Sequence, residues 1–189
     1  GQLVTFGIRP DRAETGYGWL ELSSQAHASL PQPQPLHSFI EKPDLAKAEA
    51  LLAGEMHLWN AGIFLFSTTA ILEAFAAHAP EILNASRDAL DAAELDLSFT
   101  RLAPDPWNEL PNVSIDYAVM ERAQNMSVVP YDGAWSDLGD WQAVWREGDA
   151  DPSKTVTTGP ATAIDCHDTL LHATNDDQQL FGIGLKDIV

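Results

Sequence analysis

Basic residues are scarce in this chain: ten lysines and arginines stand against 28 aspartates and glutamates, a formal charge of −18 over 189 residues. A surface with that balance repels a phosphate backbone, so no nucleic-acid partner is expected. Small phosphorylated ligands are repelled too, unless a divalent cation and a few placed bases offset the field locally. Cysteine is nearly absent. Cys166 alone cannot build an intrachain disulfide framework, reads as a small core residue, and fits a reducing, cytoplasmic setting. No run approaches the roughly 20 apolar residues of a membrane span, and no signal peptide is evident, so no membrane partner is expected. The six histidines form no pair at metal-ligand spacing, which argues against a zinc centre. No serine has the Gly-x-Ser-x-Gly context of a hydrolase nucleophile.

The hydrophobic share, 45%, is enough for a real core in one domain, with or without a small appendage. Strand-like runs fall at 2–8, 19–22, 36–41, 58–66 and 128–131. Between them lie helical patterns: one capped by Asp44 and ending near Gly54, then 69–78 and 80–93, the last opening on Pro80. Ser114 can cap a further helix with Ile115, Ala118, Val119 and Arg122 on one face. Trp141, Val144 and Trp145 mark another by their spacing. Residues 23–35 form a polar, Pro/Gln-rich loop. A polar linker, 148–154, separates residues 1–147 from short β runs in 155–189, whose near-regular spacing suggests a small β element or part of a β-helix.

Four short segments could carry chemistry. In Phe39-Ile40-Glu41-Lys42-Pro43-Asp44, an apolar strand ends in an acid beside a base, and the proline forbids continuation. Neighbouring strand residues point to opposite faces, so Glu41 and Lys42 diverge unless the strand twists or ends there. Such a pair at a strand end is either a solvated terminus or a ligand contact of the kind open α/β sheets place there. Glu14-Thr15-Gly16-Tyr17-Gly18 is an ordinary turn, or a loop whose glycines let backbone amides approach a ligand. In Trp59-Asn60-Ala61-Gly62, Asn60 has the donors and acceptor needed to read sugar hydroxyls, and Gly62 marks a bulge or a close approach. A satisfied buried Asn beside a bulge is the bland alternative. Asp137, in Trp135-Ser136-Asp137-Leu138-Gly139-Asp140-Trp141, is a helix N-cap or an oxygen ligand of the type Mg²⁺ prefers. Asp116 could face a site, although the first turn of a helix favours Asp anyway.

Taken in order, LVTFGI–P–ETGYG, FIEKPD, LWNAGIFLF, SIDYAVME and WSDLGDW resemble the mannose-1-phosphate guanylyltransferases, a branch of the sugar nucleotidyltransferases. The resemblance covers about residues 2–146. It implies an α/β fold: part of a GT-A-like nucleotide-diphospho-sugar transferase core, a mixed sheet with flanking helices. The tail resembles the start of a left-handed β-helix.

The implied activity makes GDP-mannose and pyrophosphate from GTP and mannose 1-phosphate, with Mg²⁺, for polysaccharide biosynthesis. Residue by residue, the resemblance puts Tyr17 and Gly18 beside the sugar, Glu41 on its hydroxyls and Lys42 on the phosphates. Asn60 and Gly62 complete the hexose pocket, and Asp137 is one of two metal-binding aspartates. Lys42 and Asp137 are thereby the catalytic candidates. No segment of the 189 residues supplies the family's Gly-rich nucleotide loop. The chain is therefore expected to be the sugar-phosphate half of such an enzyme plus a β-helix fragment, inactive alone. It is also expected to have an exposed edge at its first strand and to be homo-oligomeric. A transferase for another hexose 1-phosphate, or a non-catalytic assembly module, are the alternatives.

Overall fold

The computed structural model describes residues 1–23, 32–54 and 56–189; most of the expected Pro/Gln-rich loop lies outside the described residues. The chain divides into two compact units, Gly1–Gly133 and Ala134–Val189.

In chain order the first unit runs β1 (Leu3–Ile8), β2 (Trp19–Leu22), β3 (Gln34–Ile40), α1 (Leu45–Ala53), β4 (His57–Leu65), α2 (Thr68–His78) and α3 (Pro80–Asp91). A hairpin of β5 (Glu94–Asp96) and β6 (Phe99–Arg101) follows, then α4 (Pro104–Asn108), a π-helical turn (Asp116–Met120) and β7 (Met126–Tyr131). The five longer strands close into a barrel in the order β1-β4-β2-β3-β7. The sheet is mixed, because β1 is parallel to β7 and antiparallel to β4.

An exposed edge at β1 is not what the chain builds. Both sides of β1 are paired, and the ring closes where Gln34 and Pro35 meet Val128 and Ser127. Gly7 permits the close packing across β1, since a Cβ there would stand 2.6 Å from Leu58 Cδ1 and 2.7 Å from Val128 Cγ2. Closure removes the unpaired row of N–H and C=O groups that an open sheet leaves at each side.

The core joins this sheet to the helices. Leu3, Leu20, Leu22, Phe39, Leu58 and Val128 pack with Ala70 and Ala74 of α2 and with Ala118, Val119 and Met120 of the π turn. Helix starts follow their capping residues: Asp44 accepts from the Lys47 N–H at 2.8 Å and Ser67 from that of Ala70 at 3.1 Å. Pro80 sits in the first turn of α3, where its missing N–H has no partner to lose.

One local expectation needs correction, and two elements were not expected. The segment after Ser114 is not an α-helix, because the Glu121 N–H reaches the Asp116 carbonyl at 2.9 Å, five residues back. The β5–β6 hairpin and α4 have no counterpart in the sequence reading. Strands of three residues are too short for an alternation signal.

The second unit contains α5 (Trp141–Glu147) and four short strands: β8 (Val156–Thr158), β9 (Ala161–Ile164), β10 (Leu170–His172) and β11 (Leu180–Ile183). β8 pairs in parallel with β10, and β9 with β11. A parallel partner is out of reach of a tight hairpin, so the chain must travel round and return one layer on. Val156, Cys166, Leu170 and Leu171 are buried here. Among the described residues, no helix is long and apolar enough to cross a membrane.

Candidate functional site

β3 ends at Ile40, and the backbone then swings so that Lys42 takes a left-handed conformation with φ of 44°. That swing defeats the alternation that would have sent Glu41 and Lys42 to opposite faces. Lys42 Nζ instead stands 3.7 Å from Glu41 Oε1, with the lysine side chain 59% exposed and the glutamate side chain only 8%. An exposed ammonium beside a buried carboxylate is the result.

The Glu41 carboxylate lies over the α-carbon of Gly18, where a Cβ would come within 2.8 Å of Oε2. A side chain there would push the carboxylate aside. The Gly18 carbonyl in turn accepts from the Asn60 N–H at 2.7 Å, which ties the glycine loop to β4. Tyr17 is buried and meets the Trp59 ring edge-on at 5.4 Å between centroids. Tyr17, Gly18, Glu41, Lys42 and Asn60 therefore converge on one place, from three separate segments.

Asn60 is itself buried, and two partners fix its side chain. Thr5 Oγ1 donates to Oδ1 at 2.7 Å, and Nδ2 lies 3.5 Å from Asp116 Oδ1, the outer limit of a hydrogen bond. Gly62 follows in a bulge: Thr5 opposes Phe64 and Gly7 opposes Asn60, leaving Ala61, Gly62 and Ile63 across from Phe6 alone. The φ of 70° at Gly62 is why a glycine stands there, since the space about its α-carbon is open. The expected bulge is present; the alternative of a close neighbour is not.

Burial is the main reason that the Glu41 pKa is raised, with repulsion from Asp116 second; Lys42 opposes the shift and Glu121 adds to it. Glu121 Oε1 also accepts from the Glu41 N–H at 3.0 Å. The π turn brings both acids to this place, because a bond spanning five residues sets Asp116 and Glu121 one above the other.

Asp137 belongs to the second unit. It is not the N-cap of α5: Asp140 is, accepting from the Ala143 N–H at 2.6 Å. Asp137 Oδ1 accepts from the Gly139 N–H at 3.1 Å, in an exposed loop that Gly139 lets fold tightly. Among the described residues, no cluster of three or more His, Cys, Asp or Glu is set to hold a metal. One exposed carboxylate still suits Mg²⁺, which takes one or two protein carboxylates and keeps several waters.

Sequence reasoning missed Thr5, Glu121 and Arg12, and passed over Asp116. Thr5 had a signal: it is a polar residue between Leu3 and Gly7 on the inward-facing side of β1. Arg12 had none. Its guanidinium lies 4.6 Å over the Trp59 ring and pairs with Asp11 and Glu14, pinning the loop before Tyr17. Hydrogen bonds and ion pairs to those acids outweigh the burial that would lower its pKa. Trp59 Nε1 is buried with no hydrogen-bond partner among the described residues.

A family profile described as "Nucleotidyl transferase" matches residues 1–154. The chain belongs to the nucleotidyl transferase family. Within it, the chain is 41% identical over 175 residues to a mannose-1-phosphate guanylyltransferase of Sinorhizobium fredii, covering 90% of this chain and 33% of that protein. It is 36% identical over 189 residues to the enzyme of the same name from Klebsiella pneumoniae, covering all of this chain and 40% of the relative. The fold is similar to that of a solved structure from Thermus thermophilus named mannose-1-phosphate geranyltransferase. The TM-score is 0.78 at 30% identity, covering 97% of this chain and 51% of the other. The resemblance carried by the five motifs is thus borne out, as is the α/β nucleotidyl transferase fold. The chain spans a third to two fifths of the length of these curated relatives.

Proposed function

We propose that the chain carries the hexose 1-phosphate site of a mannose-1-phosphate guanylyltransferase, the enzyme that joins mannose 1-phosphate to GTP and releases pyrophosphate. The observation that supports this most is the buried Glu41 carboxylate over Gly18, flanked by Asn60 and by the exposed Lys42 ammonium.

A hexose phosphate needs hydroxyl readers and a counter-charge. Glu41 accepts hydrogen bonds from sugar hydroxyls, and Asn60 donates one through Nδ2. Gly18 leaves the space that the Glu41 carboxylate occupies, and Tyr17 walls the pocket beside it. The bulge at Gly62 shapes the wall beyond Asn60. Lys42 faces the phosphate and offsets the repulsion of a chain with net charge −18. In-line attack of a sugar phosphate on a nucleotide α-phosphorus requires positioning and charge neutralisation rather than a nucleophilic side chain. Asp137 is the residue that would contribute to holding Mg²⁺, which when bound neutralises phosphate charge. GTP and GDP-mannose are the other substrate and product of the proposed activity.

The four parallel-paired strands of the second unit support its reading as the beginning of a left-handed β-helix, since each partner lies one turn of chain further on. The functional division is read at the linker 148–154, with the catalytic core before it.

Titrating the isotope-labelled chain with mannose 1-phosphate tests the assignment. Amide resonances of Gly18, Glu41 and Asn60 are expected to shift together and saturably. Shifts confined to other parts of Gly1–Gly133, or none at millimolar ligand, would contradict it.

A further inference from the structure

We propose that Thr5 is a positioning residue that sets which hydroxyls the site accepts, by locking Asn60 with its N–H bonds turned toward the ligand. The proposal rests on the hexose 1-phosphate reading above and extends it to a residue outside the glycine, Glu-Lys and Asn-Gly segments.

The amide of Asn60 has two faces that differ chemically but not in shape, so its neighbours must decide which way it points. At one end stands Asp116, and a carboxylate accepts and cannot donate. The carboxylate oxygen 3.5 Å away therefore selects Nδ2, not Oδ1. At the other end stands Thr5 Oγ1, 2.7 Å from Oδ1 and 3.2 Å from the Ile63 carbonyl. A hydroxyl carries one proton. The shorter contact takes it, so one lone pair of Oδ1 is held by a donor with no solvent exposure at all.

The donor that remains for a ligand is the second N–H of Nδ2. It can donate to a hydroxyl oxygen whose own proton goes to the Glu41 carboxylate, so one hydroxyl, or two neighbouring ones, are read as donor and acceptor at once. If the amide turned over, its oxygen would face Asp116 and repel it, and the site would present two acceptors. Without the Thr5 hydroxyl, the buried Oδ1 loses its donor, and the preference for one orientation weakens.

The test is a binding comparison using mannose 1-phosphate and its 2-, 3- and 4-deoxy analogues on wild-type chain, Thr5→Val and Thr5→Ser. Wild type should bind at least one deoxy analogue about tenfold more weakly than the parent sugar, the worth of one good hydrogen bond. Thr5→Val should lose most of that ratio, and Thr5→Ser should restore it. A valine variant that binds every analogue with the wild-type ratios overturns the proposal, because a purely structural defect would weaken all sugars in parallel. If wild type binds none of them, the hexose phosphate reading fails and the proposal with it; if wild type binds and discriminates but Thr5→Val does so equally, only the proposal fails. Should Thr5→Val not fold, the unliganded wild type decides. Magnetisation transfer from the Asn60 Nδ2 protons to the Asp116 side chain supports the locked orientation. Transfer to the Thr5 methyl in its place contradicts it.

Discussion

Glu41 carries its charge in conditions that oppose ionisation: it is buried, and Asp116 and Glu121 stand near it. Its raised pKa means that, between the ordinary glutamate value and the raised one, the folded chain holds a proton that the unfolded chain releases. The corresponding stability is fully present below the ordinary value and is lost as pH rises through the raised one. Above that range an ionised Glu41 costs stability, so Glu41→Gln is expected to raise the melting temperature at pH 7. The gain should shrink at pH 4, where the wild-type side chain is itself protonated. Thermal melts at both pH values check this, and a lower melting temperature at pH 7 would contradict it. Asp116→Asn should move the Glu41 titration midpoint downward, though not to the ordinary value, because burial is the larger cause. Carbon-detected NMR of the Glu41 carboxyl measures it.

Glu41, Lys42 and Asn60 were visible in the sequence because each interrupts an apolar run. Glu121 was not, because it gains meaning only from its contact with Glu41, 80 positions away; Thr5 and Asp116 offered weak signals, and the contacts 55 and 56 positions away that give them meaning could not be read.

Elements were legible where periodicity and capping agree. α1 and α3 begin at the Asp44 and Pro80 signals, α2 falls within a residue of the helical pattern over 69–78, and β1 to β4 follow their apolar runs. The π turn was not legible, because Ile115, Ala118, Val119 and Arg122 fit an α-helical face equally well. Nor was the closure of the barrel, which depends on β3 pairing with β7 at Gln34 and Pro35. Gly7 is where closure can be probed. A methyl group there meets Leu58 and Val128 at less than contact distance. Gly7→Ala is expected to cost about 1–3 kcal/mol, the usual range for an overpacked core. Urea denaturation measures that cost, and an unchanged midpoint would mean that β4 and β7 do not pack across β1 as described.

At the scale of the whole molecule, the acidic surface and the placed lysine belong to one argument. A chain of net charge −18 holds a phosphate more readily where a base offsets the field, and Lys42 is the base beside the residues proposed to read the sugar. The motifs that would bring GTP to this place are not among the five that the chain displays. The 189-residue chain by itself is accordingly expected to release no pyrophosphate from GTP and mannose 1-phosphate, as a coupled phosphate assay would show. Family membership was legible from motif order, since five weak signals in sequence are jointly specific. The place of Asp137 was harder to read, because two aspartates precede α5 and only the bond from the Ala143 N–H shows that Asp140 is its cap.

The central claim, that Glu41 and Lys42 grip a hexose phosphate, is tested most directly by calorimetric titration of the chain with mannose 1-phosphate. The wild type should bind saturably at one site, Lys42→Ala more weakly, and Glu41→Gln not measurably although its fold is at least as stable. Wild-type affinity retained in Glu41→Gln would contradict the account.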